Sequence, residues 1–199
     1  MSRAMTISMS RAMNRLVMFA QDFSHRWAQL SRDQRGISAV EFALLLPLMV
    51  TLYLGTAEVS QAISADRKVT LTARTVADLV SQVTSINNAA MTDILAASSS
   101  VMYPYSTNTL KVTVTAVNID ANGNATVAWS DSYNGTARGK GSAVTLPSAL
   151  VVNSSTVIWS EVQYVYTPTI GYVITGPLTH TDQLYMVPRL STSISRTTT

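Results

Sequence analysis

The first strong pattern along the chain is a run that is apolar on every face. From Ile37 to Ala57, ISAVEFALLLPLMVTLYLGTA, one charged residue, Glu41, occurs in 21 positions. At about 1.5 Å per residue this run would form a helix roughly 31 Å long, matching a bilayer core of about 30 Å. Past Ala57 the pattern becomes one-sided. Val69, Ala73, Val76, Val80 and Val83 recur at spacings of four and three and share a face, while Arg67, Arg74, Asp78 and Gln82 fall elsewhere. The spacing predicts one long helix, first apolar all round and then amphipathic. Pro47 within it removes a backbone donor and predicts a kink.

Asn87-Asn88 punctuates the chain, and Met91, Ile94, Leu95 and Met102 predict a short second helix ending near Tyr103-Pro104. The period then shortens to two. Leu110 to Ile119 alternates Val112, Val114 and Ala116 against Thr113, Thr115 and Val117, and the turn Asp120-Ala121-Asn122-Gly123-Asn124 leads into Ala125 to Tyr133, which predicts a hairpin. A further strand over Thr156 to Thr167 places Ile158, Ser160, Val162, Tyr164 and Tyr166 on one face, and Gln183 to Val187 supplies a last strand before Pro188. Trp129, Trp159, Tyr164 and Tyr166 read as sheet packing in preference to an exposed adhesive patch. An antiparallel sheet with one apolar face needs a cover, which the amphipathic helices supply. The expected fold is α+β: a long N-terminal transmembrane and stalk helix packed on a small antiparallel β-sheet domain. Three regions follow: a basic leader over 1–36, the span and stalk over 37–86, and an outer α+β domain over 87–199.

Composition agrees with a membrane segment, since hydrophobic residues make up 47% of the 199 and charged ones only 13%. The absence of cysteine excludes disulfide scaffolds and thiolate metal sites. A net charge of +3 would suggest a nucleic-acid partner if it were spread over the chain. It is concentrated instead. Residues 1–36 hold six arginines (Arg3, Arg11, Arg15, Arg26, Arg32, Arg35) against Asp22 and Asp33, leaving eight of the fourteen basic and nine of the eleven acidic side chains for the rest. The body is therefore nearly neutral, no nucleic-acid partner is expected, and the arginines before the span put the N-terminus in the cytoplasm by the positive-inside rule.

Catalytic chemistry has no visible constellation. The two histidines, His25 and His180, have no second ligand at metal spacing, so no metal or other cofactor is expected, nor an enzyme. Gly135-Thr136-Ala137-Arg138-Gly139-Lys140-Gly141 lacks the ending of a phosphate-binding loop and reads as a mobile loop.

Two readings of the apolar run compete. Phe42 to Leu54 fits the apolar core of a secretory signal, with Gly55-Thr56-Ala57 as a small-x-small cleavage site that would free a periplasmic binding module. Alternatively the run is a lasting anchor, and then Glu41 requires an explanation, because a carboxylate in such surroundings needs a compensating partner or access to water at the interface. Cleavage after Gly36 would supply a partner: the new α-amino group on Ile37 would stand four residues, about 6 Å along the axis, before Glu41, on the same chain or a staggered neighbour.

Arg35-Gly36-Ile37-Ser38-Ala39-Val40-Glu41-Phe42 ahead of an apolar helix resembles a type IV prepilin signal, and more specifically the TadE-like pseudopilins of the tight-adherence (Flp) pilus system. Val76 to Gln82, Glu161 to Pro168 and Pro188-Arg189 are also similar to TadE-like proteins. The resemblance implies processing at Gly36 and Ile37 by a prepilin peptidase and assembly through Glu41, Phe42 and the Pro47-containing helix. It also implies a pilin-like fold in the inner membrane, with other pilin or pseudopilin subunits and the pilus assembly platform as partners. The major pilins of the system typically carry Glu-Tyr and are very short after processing. Glu41-Phe42 and the long body therefore favour a minor pilin or pseudopilin.

Overall fold

The computed structural model describes residues 34–197. Five of the six leader arginines (Arg3, Arg11, Arg15, Arg26 and Arg32) and His25 therefore lie outside the described residues. Helix α1 (Gln34–Ser81) is continuous through Pro47, as the long apolar-then-amphipathic pattern predicts. Just beyond, the Thr51 hydroxyl donates to the Pro47 carbonyl at 2.8 Å.

The chain divides into two units, one ending at Tyr53 and the other beginning at Leu54. In the first unit every side chain from Gly36 to Val50 is exposed, the apolar ones included. In the second, α1 becomes one-sided: Ala62, Ala65, Val69, Ala73, Val76 and Val80 are buried at spacings of three and four. The predicted stripe is thus the packing face, extended two turns toward the N-terminus, and its small side chains let a sheet come close.

After β1 (Ser85–Ile86), helix α2 (Asn88–Met102) begins where the Asn87 side chain accepts the Ala90 amide at 2.8 Å, an N-cap. Met91, Leu95 and Met102 face inward. The sheet follows as β2 (Lys111–Ile119), β3 (Ala125–Tyr133), β4 (Ser155–Tyr166) and β5 (Leu178–Met186), in the spatial order β3-β2-β4-β5 with every neighbour antiparallel. The hairpin and β4 match the expected ranges. The last strand does not: it starts at Leu178, before the predicted Gln183, because Tyr164 pairs with His180 and Tyr166 with Leu178 across it. A closing strand, β6 (Ser195–Arg196), pairs in parallel with β1.

Val112, Val114, Ala116, Ile158, Val162, Tyr164 and Tyr166 face α1 and α2 in one core with Trp129. A register shift between Ala116 and Val117 leaves Ala128 as an extra residue in β3. This bulge turns Trp129 to the inner core while Ala125 faces a second cluster, with Val117, Ile119, Leu146 and Val157, on the opposite face. Residues 194–197 close the inner core: the Trp129 indole donates to the Ile194 carbonyl at 2.7 Å, and Arg196 holds both oxygens of Asp131 at 2.9 and 3.2 Å. That carboxylate raises the pKa of Arg196.

Each fully buried valine or isoleucine contributes about 1.5–3 kcal/mol. Truncating the fully buried Ile158 to alanine is therefore expected to cost about 2–5 kcal/mol, and Asn87→Ala about 1 kcal/mol through loss of the cap. Urea unfolding followed by tryptophan fluorescence should rank them in that order.

Candidate functional site

The sequence-predicted positions Gly36, Ile37, Glu41, Phe42 and Pro47 all lie on α1 in the first unit and are all exposed. Ile37 and Glu41 stand one helical turn apart on one face, about 6 Å along the axis. Among the described residues, its chain neighbours and its own helix backbone aside, nothing lies within 4 Å of where a side chain at Gly36 would begin. The described arrangement is thus an apolar helical surface carrying one carboxylate near its start.

A second carboxylate went unnoticed in the sequence. Glu58 directly follows the apolar run and is only 2% exposed. One of its oxygens accepts the Tyr172 amide at 2.6 Å, and the other accepts those of Val173 and Ile174 at 2.9 and 2.8 Å. Three successive backbone donors from the β4–β5 loop take the place of a cation. They hold the Glu58 carboxyl below its ordinary pKa, the Ile174 and Tyr172 amides most strongly, against a smaller opposing effect of burial. The loop can present three amides because Gly171 takes a positive φ of 67°, a conformation that suits glycine. Gly55 completes the fit, since a Cβ there would come within 3.2 Å of Val173 Cγ2. The Gly55-Thr56-Ala57 triplet, legible as a cleavage site, therefore also marks a close approach of loop to helix. A signal for Glu58 did exist in the sequence: Thr167 to Pro177 contains two glycines and no charge, yet it must be anchored somewhere.

On the sheet face away from the helices, the Gly135–Gly141 segment is tied down rather than loose. Arg138 forms a paired contact with Glu161, one arm at 2.9 Å, and lies 3.9 Å over the Trp159 ring, which stacks on Tyr185. The Gly141 amide donates to Val127. Arg138 is thus already engaged by carboxylate and indole, while Lys140 in the same segment is exposed. Trp129, Tyr164 and Tyr166 are buried as expected, and Trp159 is half-buried beneath Arg138. Among the described residues no three His, Asp or Glu side chains converge as a metal site.

Fold and site together define an α+β protein in which, among the described residues, one helix is long and apolar enough to cross a membrane, with the crossing window wholly unburied. Such a helix is compatible with membrane anchoring. Residues 36–78 match the family model for TadE-like protein, a match consistent with a TadE-like protein of the tight-adherence pilus system. The match starts at Gly36 and takes in Glu41, Phe42, Pro47 and Glu58, whereas Glu161 to Pro168 and Pro188-Arg189 lie beyond it. No curated protein and no solved structure matches the chain.

Because the folded-state pKa of Glu58 is depressed, its contribution to stability is complete above the ordinary glutamate range and is lost as the pH falls through the lowered value. In an NMR titration the Val173 and Ile174 amides should hold their positions at neutral pH and move only below that range; a midpoint at or above it would contradict the hook. Glu58→Gln should shift the same amides while leaving those of β2 in place.

Proposed function

We propose that the protein is a minor pilin or pseudopilin of a tight-adherence pilus, inserted in the inner membrane with its basic leader in the cytoplasm and its outer domain in the periplasm. The chain then reads as leader 1–36, span and stalk 37–86, and outer domain 87–199. A prepilin peptidase cuts after Gly36, and the freed Ile37 amine becomes the counter-charge for Glu41 on the same chain or on a neighbour. Phe42 and the helix around Pro47 form the surface through which subunits assemble, with the assembly platform as a further partner. Its work is structural: initiating, capping or supporting the filament, or contributing to surface adhesion.

The observation that carries this reading is the wholly exposed, largely apolar stretch of α1 over residues 36–50, which bears one carboxylate, Glu41, inside a family match that begins at the proposed cut. An apolar surface of this length needs lipid before assembly and neighbouring helices after it. The competing signal-peptide reading is disfavoured by Gly55, because a cut after Ala57 would remove a helix turn on which Val173 packs.

N-terminal sequencing of the exported protein should return Ile37; Glu58 would indicate an ordinary signal peptide, and Met1 an uncleaved anchor. Gly36→Ala should block processing. Glu41→Ala should leave cleavage intact but deplete the subunit from sheared pili examined by immunogold.

A further inference from the structure

We propose that the β4–β5 loop, residues 167–177, is a second membrane contact, seating Ile170 and Val173 in the interfacial layer of the bilayer beside the point where α1 leaves it. The proposal rests on reading Ile37–Ala57 as the membrane span.

Position comes first. If the 21-residue run fills the bilayer core, its last residue, Ala57, lies at the boundary between acyl chains and headgroups. Glu58 is the next residue, and it fastens the loop there through three amides. Val173 reaches back past it to Gly55, about 4.5 Å nearer the apolar core along the helix axis. A loop held at that height is at the membrane surface whatever the rest of the domain does.

Chemistry agrees with position. Ile170 and Val173 are each 49% exposed and Tyr172 is 56% exposed, in a segment of eleven residues without charge. Water is a poor solvent for the two aliphatic side chains, whereas the interface suits them and also accommodates an amphipathic tyrosine ring. The residues around this end are uncharged as well. Tyr105 donates to the Gln61 carbonyl at 3.1 Å and Tyr166 to its side-chain oxygen at 3.3 Å, with Tyr103 exposed nearby in the chain. Glu58 is the exception, and its charge is satisfied inside the protein. The next charges along α1 are Asp66, Arg67 and Lys68, about 12 Å further on. His180, the first titratable residue of β5, meets Asp66 at 3.1 Å at that same height. Among the described residues, the stretch of α1 between Ala57 and Asp66 and the loop 167–177 thus carry no charge except the satisfied Glu58, as burial in an interface requires.

The sequence contains no cysteine, so single cysteines can be introduced and labelled with an environment-sensitive dye in the full chain. Val173→Cys and Ile170→Cys report on the loop, Leu44→Cys on the span, and Val152→Cys on the opposite end of the sheet. The protein would be reconstituted in phosphatidylethanolamine and phosphatidylglycerol vesicles carrying spin-labelled lipid. Both loop positions should shift to shorter wavelength and lose emission to a shallow label, Leu44→Cys should lose it to a deep one, and Val152→Cys should keep it. Adding Glu58→Gln should restore emission at Val173→Cys. If Leu44→Cys is quenched while both loop positions emit as in water, the loop contact is refuted and the anchor stands. If Leu44→Cys is not quenched, the anchor itself fails and the proposal with it. A shift at the loop that follows protein concentration and ignores lipid would identify a second copy of the chain as the cover, and would also overturn the proposal.

Discussion

One unbroken helix has to satisfy two different surroundings, and the rest of the structure follows from how it does so. From Gly36 to Val50 every residue of α1 is exposed although nearly all are apolar; from Ala62 onward a stripe of alanine and valine is buried. Backbone hydrogen bonding is self-contained along a helix, so the same element can serve in lipid, in a helical bundle and against a sheet without change of conformation. Its side chains carry the whole difference. Alanine and valine on the buried stripe bring the sheet close, whereas bulkier leucines dominate the exposed run, where nothing within the chain needs to approach.

The two glutamates of this helix illustrate opposite ways of keeping a carboxylate in apolar company. Glu58 is enclosed and fully compensated by backbone dipoles contributed from more than a hundred residues away, so it requires no cation and stays ionised. Glu41 is exposed on the apolar surface. In the pilin reading its compensation comes from outside the folded chain, through a terminus that processing creates. One carboxylate therefore ties a loop of the folded domain to the helix, and the other stays on the exposed apolar surface.

Much of this architecture was legible in the sequence because the relevant forces are local or periodic. The alternation of β2 and β4, the stripe on α1 and the helix stop before Pro104 each appear within a dozen residues. Leu178 to Asp182 was hidden because Leu-Thr-His-Thr-Asp, at a sheet edge, has little apolar content, and its pairing is set by β4. The two-residue strands β1 and β6 pair across about 110 positions and leave no local trace. Glu58 escaped notice for a related reason: its donors are backbone amides, which carry no residue-type signature, and only Gly171, Gly55 and the uncharged loop hint at them. The Gly135–Gly141 segment looked loose because the contacts that restrain it, Glu161 and Trp159, lie on another strand.

The short clasp formed by residues 194–197 bears on the order in which the domain can close. Strands β2 to β5 can pair as soon as Met186 is available, but the indole of Trp129 and the carboxylate of Asp131 stay uncovered until Ile194 and Arg196 arrive. In a chain that emerges in sequence order, the sheet would have one unsealed flank only for the short stretch between Met186 and the clasp, and in that interval it would be open to mispairing. Closure of the inner core thus depends on residues 194–197, which follow every strand of the four-stranded sheet in the chain.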